Sequence, residues 1–300
     1  MNIQSLSICV PTKNKCVNKC KFCVSRTHTN PYTDRINKVV HNHMGGDNNV
    51  QNAQEYIDYY NRLQFARDNG CNVVVLTGTG EPIQNEKFLD FFSEVNATLD
   101  TPFKSIEMQT TGVMLTDEKL AHLRKIGITT ISFSISNIFD NDRNLEFIGC
   151  VPHLQFDVFE TIKLVKKHDF NLRLSLNLIN DYDKYTVEDV ILRCEELGAD
   201  QVTFRKLYKS NLNNDIDQWI EKNSSVGFYD NLVEYVKLNG EFLGYLPFGP
   251  KIFDIREMSI VIDDDCMFQE VKDKNTFKYL ILRENGRLYF KWETKSSLVF

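Results

Sequence analysis

Between about residues 70 and 208, short β-branched runs alternate with longer amphipathic ones, and this alternation narrows the fold more than any other feature of the 300-residue chain. The spacing predicts strands over Asn72 to Thr77, Ser105 to Gln109, Thr129 to Ile135, Asn171 to Leu178 and Gln201 to Leu207. Between them it predicts helices over Asn85 to Leu99, Thr116 to Ile126, Val158 to His168 and Val187 to Leu197, several ending at a glycine or polar residue that can stop a helix. A first strand near Leu6 to Val10 and a helix from Gln54 to Asn69 complete about six strand and helix units. Strands joined by crossover helices pair in parallel, so the expected class is α/β, a partial (β/α)6 TIM-type barrel. The length suits one such barrel with an appendage: residues 1–210 as the partial barrel and 211–300 as a small C-terminal α+β cap.

Two regions break the rhythm. Residues 25 to 50 are rich in Asn, His and Thr and contain Gly45-Gly46-Asp47, so they read as a long loop, mobile or folded over a site. Beyond residue 210, a polar helix-like segment runs to about Leu238 and Met258 to Asp263 reads as a strand. Tyr279 to Leu282 and Arg287 to Trp292 then flank Asn285-Gly286, a strong hairpin signal.

A net charge of -6 and a pI near 5.6 give no general attraction to polyphosphate. A nucleic-acid partner would need a local basic patch, for which Arg205, Lys206 and Lys209 are the obvious seed. The start, Met-Asn-Ile-Gln-Ser-Leu, lacks the pattern of a signal peptide, and no apolar run is long enough to cross a bilayer, so a cytoplasmic protein without a membrane partner is expected. In that compartment thiols stay reduced, and eight cysteines point to metal or redox chemistry rather than a disulfide framework.

Cys16, Cys20 and Cys23 place three thiols within eight residues, close enough for one loop to wrap a single polynuclear metal centre. Three ligands on a four-iron cube leave one iron open to chelate a small molecule and pass it an electron. A zinc site is the alternative, with His28 or His41 as fourth ligand. Directly after the strand ending at Thr77 comes Gly78-Thr79-Gly80-Glu81-Pro82, where glycines let backbone groups approach a ligand and Glu81 can accept from an ammonium group.

The spacing C-x-x-x-C-x-x-C, with Phe22 as the aromatic residue before the last cysteine, resembles the signature of the radical S-adenosylmethionine (SAM) superfamily. The resemblance extends over about residues 5 to 210. It implies one 4Fe-4S cluster on Cys16, Cys20 and Cys23, with SAM chelated at the open iron and cleaved to methionine and a 5'-deoxyadenosyl radical. Gly78 to Pro82 resembles the family's G-G-E-P element, which holds the SAM amino group, with Thr79 in place of the second glycine. Gln109-Thr110-Thr111-Gly112 resembles a T-x-G turn. Ser134 and Ser136 end the fourth strand where relatives contact the ribose or methionine carboxylate. On the fifth strand Arg173 and Asn177 share a face, and Asn177, nearer the C-terminal end, is favoured for the same role. Val202, with Phe204 to Leu207, falls where relatives touch adenine through the backbone, and Arg205 is a candidate substrate contact.

The run from Tyr279 to Trp292 resembles the hairpin of auxiliary-cluster modules, such as those near the molybdopterin-precursor cyclase, without their cysteines. It is expected to serve as a lid, with Tyr289, Phe290 and Trp292 excluding water. Cys266 is a candidate hydrogen-atom donor to a substrate radical, weighed against a buried small hydrophobe. Cys9, Cys71, Cys150 and Cys194 read as core, and His41 and His43 as solvent-facing. The substrate is expected to be a small molecule or nucleotide-like compound, with an external one-electron reductant. A tRNA or other nucleic-acid or peptide substrate is the first rival, and a non-catalytic iron-sulfur redox sensor the second.

Overall fold

The computed structural model describes the whole chain except residues 1, 13–14, 28–31, 33, 46–49, 246–249, 264–274 and 293. Cys266, His28, and Gly46 and Asp47 of the polar segment therefore lie outside the described residues. The strands are β1 Asn2–Cys9, β2 Val73–Thr77, β3 Ser105–Thr110, β4 Thr130–Ile135, β5 Asn171–Asn177, β6 Gln201–Arg205, β7 Glu241–Tyr245, β8 Lys251–Ile255, β9 Met258–Asp263, β10 Thr276–Leu282 and β11 Leu288–Tyr289. The helices are α1 Ile36–Met44, α2 Val50–Asp68, α3 Glu86–Thr98, α4 Asp117–Lys125, α5 Asn141–Ile148, α6 Val158–Lys167, α7 Val187–Glu196, α8 Asp215–Asn223 and α9 Phe228–Asn239.

One 11-stranded sheet carries them all, in the order β11-β10-β1-β2-β3-β4-β5-β6-β9-β8-β7. β1 to β6 pair in parallel in chain order, as the repeating pattern requires. The curl of the sheet brings its two flanks to one chamber, since Val261 of β9 and Tyr279 of β10 line the same cavity. This is the expected partial barrel.

The two faces of the sheet differ sharply. Leu6, Val74, Leu76, Ile106, Met108, Ile131 and Leu174 are fully buried beneath the helices together with Phe88, Phe91 and Phe92 of α3. Burying each such side chain contributes about 1.5–3 kcal/mol. On the concave face the alternate positions are Ser5, Ser7, Glu107, Gln109, Arg173 and Gln201. A closed barrel normally packs this face with branched apolar residues; here it is polar and encloses a cavity of about 1340 Å³.

The segment after residue 210 ends the strand and helix rhythm without ending the sheet. β9 pairs in parallel with β6, and β10 pairs in parallel with β1. The predicted hairpin exists, because β10 and β11 are antiparallel around Asn285 and Gly286, the latter at φ +76°. It is a wall of the chamber rather than a lid over it. Of the three aromatic residues expected to form the lid, Trp292 lines the cavity; Phe290 stacks on Phe277 with ring centroids 4.9 Å apart, and Tyr289 meets Tyr32 edge-on at 4.9 Å.

The expected long loop over residues 25 to 50 contains α1. Ile36, Val39 and Val40, at helical spacing, bury one face of it. Its first backbone amides, Arg35 and Ile36, donate to the carbonyl of Glu284 in the hairpin, at 2.9 and 3.1 Å. His43 stacks on Tyr56 at 4.8 Å and meets Glu94 at 3.3 Å, so it is packed against α2 and α3 instead of facing solvent alone. His41 is exposed on the same helix. The helix α5 was not anticipated from the pattern either; Asp140 caps it, accepting from the Arg143 amide at 3.0 Å, and Gly149 ends it at φ +58°.

Candidate active site

The loop carrying Cys16, Cys20 and Cys23 follows β1 and crosses the C-terminal ends of the parallel strands. It is held from three sides. Lys19 and Lys21 donate backbone hydrogen bonds to the carbonyls of Ile148 and Phe147 at the end of α5, at 2.9 and 3.0 Å. Phe22 packs on Trp219 of α8 with centroids 6.0 Å apart, and Trp219 meets Phe147 edge-on at 5.9 Å. On the third side Asn18, between the first two cysteines, donates its side-chain amide to Glu81 at 3.1 Å and to Thr111 at 2.8 Å.

Glu81 is the keystone. Its buried carboxylate accepts from Thr110 Oγ1 at 2.6 Å, from Thr111 Oγ1 at 2.7 Å, from the Thr111 amide at 3.2 Å and from Asn18. Burial pushes its pKa up, and the hydrogen bonds from Thr110, Thr111 and Asn18 oppose that rise. The carboxylate thus ties the cysteine loop to the ends of β2 and β3, and its acceptor capacity is taken up by protein donors. Gln84 completes the joint: its Oε1 accepts from the amides of Glu81 at 3.1 Å and Val17 at 3.3 Å. Pro82 is buried at the start of the short 3-10 turn Pro82–Gln84.

Gly78 and Thr79 line the cavity. Gly78 sits at φ +153°, where an added Cβ would lie 2.9 Å from the Val10 carbonyl oxygen, and at Gly80 a Cβ would lie 2.8 Å from Thr12 Cγ2. The turn is therefore pressed against the end of β1, just before the cysteine loop, and only glycine permits that approach.

Ser134, Ser136 and Asn177, separate in sequence, come together. Asn177 Nδ2 donates to Ser134 Oγ at 3.2 Å and Ser136 Oγ at 3.3 Å. Arg173 lies a layer deeper, paired with Glu107 at 2.5 Å and with Gln201 at 2.9 Å, which leaves Asn177 the better placed of the two at the C-terminal end. Val202 is fully buried with its side chain among the core residues, so only its backbone borders the strand end. Arg205 lines the cavity, whereas Lys206 lies 3.5 Å from the centre of the Tyr229 ring and Lys209 pairs with Glu221 at 3.6 Å. The three cations do not make one basic face.

Asn18, Gln84, Gly149 and Trp219 are the supporting residues that sequence reasoning missed. Asn18 stands between cysteines and Gln84 lies two residues after the Gly78 to Pro82 turn, so proximity to a motif was the available signal; Gly149 and Trp219 carried none. Gly149 allows the close approach of the cysteine loop, because an added Cβ would lie 2.7 Å from the Lys19 carbonyl oxygen. Gly149→Ala is expected to cost about 1–3 kcal/mol through its left-handed backbone and to displace the loop; a lowered melting temperature together with reduced iron retention would show it, and an unchanged iron content would disprove the coupling.

The donor set fits an iron-sulfur cluster. The three thiols are free of disulfides, and burial first, with the neighbouring thiols adding to it, pushes the pKa values of Cys16 and Cys20 up. Partly buried thiols of this kind release protons on binding metal. Beside them Asn18 Oδ1 is buried without a partner, an acceptor turned away from Glu81 and Thr111. Among the described residues, no group of three His, Cys, Asp or Glu side chains is disposed to hold a metal ion, so the cluster rests on donor chemistry and on family.

A parallel, curled sheet with a three-cysteine loop over its C-terminal ends defines the class, and a family model settles which. The model of the radical SAM superfamily matches residues 10–197, more than half of the chain, and the chain belongs to that superfamily. Its members use a 4Fe-4S cluster and SAM. Among solved structures, SuiB from Streptococcus suis bound to its precursor peptide SuiA is 13% identical with a TM-score of 0.55, covering 96% of this chain. The present chain spans 59% of the length of that protein. The enzyme anSMEcpe with bound AdoMet and Cp18Cys peptide is 13% identical, TM-score 0.55, over 98% of this chain and 75% of its own. Coproporphyrinogen III oxidase (HemN) from Escherichia coli, a radical SAM enzyme, is 13% identical, TM-score 0.50, over 81% and 54%. At these identities the likeness is one of fold. Comparison with curated protein sequences gives no match.

Proposed function

We propose that this chain is a radical SAM enzyme that acts on a small molecule, or on one residue of a peptide, held inside the barrel. The observation that carries the reading is the Glu81 joint, which couples the cysteine loop to the Gly78 to Pro82 turn at the edge of a single cavity. Cys16, Cys20 and Cys23 are the cluster ligands, and Phe22 anchors their loop on Trp219. When bound, the two cofactors supply reductive cleavage of SAM to methionine and a 5'-deoxyadenosyl radical, the electron coming from an external donor.

The chain's own residues bind and orient. With Glu81 and Thr111 occupied by each other and by Asn18, the backbone of Gly78 and Thr79 at the cavity edge and the unpartnered Asn18 Oδ1 offer acceptors to the SAM amino group. The Ser134, Ser136 and Asn177 cluster offers hydroxyls and an amide to the ribose or the methionine carboxylate, and the backbone at Val202 borders the adenine. A cavity of about 1340 Å³ exceeds the usual range for one drug-sized ligand, about 300–1,000 Å³, and so has room for SAM and a second molecule. Peptides are bound in the SuiB and anSMEcpe structures, which supports a peptide residue as one form that second molecule takes. Arg205 in the cavity wall, Lys206 over the Tyr229 ring and Lys209 paired with Glu221 weigh against a nucleic acid. No helix among the described residues is long and apolar enough to cross a membrane.

The test is 5'-deoxyadenosine formation by anaerobically reconstituted protein given SAM and dithionite. Product above a SAM-free control supports the enzyme; a full 4Fe-4S spectrum with no product, and no effect of SAM on that spectrum, supports the redox sensor.

A further inference from the structure

Arg283 stands in the cavity wall at the end of β10, with only 7% of its surface exposed. By register Ile8 pairs with both Leu282 and Leu76, which puts Arg283 level with Cys9 and with Thr77, the residue before Gly78. It is thus at the end of the chamber where the cysteine loop lies. Its guanidinium is clasped between the rings of Tyr32, 4.5 Å away, and Trp292, 4.7 Å away. It donates to the Trp292 carbonyl and, weakly, to Cys9 Sγ at 3.8 Å, while its Nε is buried without a partner.

Among the described residues no carboxylate forms an ion pair with it. Arg173, a half-buried arginine of the same chamber, is by contrast neutralised by Glu107. A guanidinium taken from water without a counter-ion costs several kcal/mol, and two aromatic faces return only part of that. The fold accepts this cost in a wall that faces an open chamber, where a ligand can supply the missing charge. Lys295 lines the same cavity and is exposed, adding a second cation on that side.

We propose that Arg283 anchors an oxyanion of the substrate, a carboxylate or phosphate, against the β1 and β10 wall. The reacting carbon is then held out toward the cysteine loop. This rests on the enzyme reading for the word substrate, but the anion site itself does not depend on SAM cleavage. The planar fork of arginine suits bidentate oxyanions, and the flanking rings hold its plane.

The site is tested by binding. The reconstituted protein would be titrated with succinate, with inorganic phosphate and with neutral succinamide, reading the tryptophan fluorescence and the heat of binding. The proposal expects a saturable response to at least one anion, absent with succinamide, and weakened about 10- to 100-fold in Arg283→Gln, as for loss of a charged hydrogen bond. Succinate alone would identify a carboxylate and phosphate alone a phosphoryl group. Arg283→Lys, which keeps the charge and lacks the fork, should bind with intermediate strength and serves where the glutamine variant does not fold. No saturable anion response in the folded wild-type protein, or equal responses in wild type and both variants, would overturn the proposal. 5'-Deoxyadenosine formation by the wild-type protein, measured separately, reports on the enzyme reading alone: anion binding without it would sink that reading and leave the anion site standing.

Discussion

Cys20→Ala is expected to lose both the cluster and 5'-deoxyadenosine formation. Cys20 is the middle thiol of the triad, and with two ligands left the loop cannot hold a four-iron cube. The loss should exceed the roughly 10- to 100-fold that follows from altering a residue supporting a metal ligand. Asn18→Ala supplies that milder comparison, since Asn18 ties the loop to Glu81 and Thr111 without donating sulfur. Iron and sulfide content, the visible absorbance of the cluster and product formation should therefore fall in the order wild type, Asn18→Ala, Cys20→Ala. A Cys20→Ala protein that keeps four irons and forms product would remove Cys20 from the ligand set.

Glu81→Ala should be the most damaging change among residues that bind no metal. Two relays end on this carboxylate: the Gly112 amide donates to Thr110 Oγ1, which donates to Glu81, and Asn18 Nδ2 donates to Thr111 Oγ1, which donates to Glu81. Removing the acceptor strands several buried donors at once, at about 1–3 kcal/mol for each one left unsatisfied. Stability should fall by about 2–5 kcal/mol, read as a lower urea midpoint of the reconstituted protein, with loss of iron at denaturant concentrations the wild type survives. Glu81→Gln places an amide donor against these donors and is expected to rescue little. Equal midpoints for Glu81→Gln and wild type would show that the charge does not hold the joint.

Apart from α5, the strands and helices from residue 72 to 205 were legible because they have a clean period bounded by a cap or a glycine. The short helices α1 and α5 were not. α1 has three apolar residues on its buried face, Ile36, Val39 and Val40, inside an Asn- and His-rich stretch, and it is fixed by the hairpin carbonyl of Glu284 more than 200 residues away. For α5 the sequence Asn141 to Ile148 is mostly polar, and its value lies in what its end supports, the backbone of the cysteine loop. Local propensity is a weak guide where a distant contact supplies the stability.

The candidate site divides in the same way. Spacing alone carried the three cysteines and the Gly78 to Pro82 turn, since both are local in the chain. Tertiary structure joined Glu81 to the cysteine loop and the end of β3, gathered Ser134, Ser136 and Asn177 into one cluster, and made a wall of the hairpin expected as a lid.

By itself, then, the sequence determined an α/β barrel and a three-thiol loop, because a period of strand and helix and a fixed cysteine spacing act over a few residues. What only the closure of the sheet decided is which side of each strand faces a chamber. The alternation of Ile106, Glu107, Met108 and Gln109, or of Leu172, Arg173 and Leu174, reads equally as a strand with one face to solvent. Once the sheet curls, the polar positions are enclosed, and their charges become a lining that a ligand must complement.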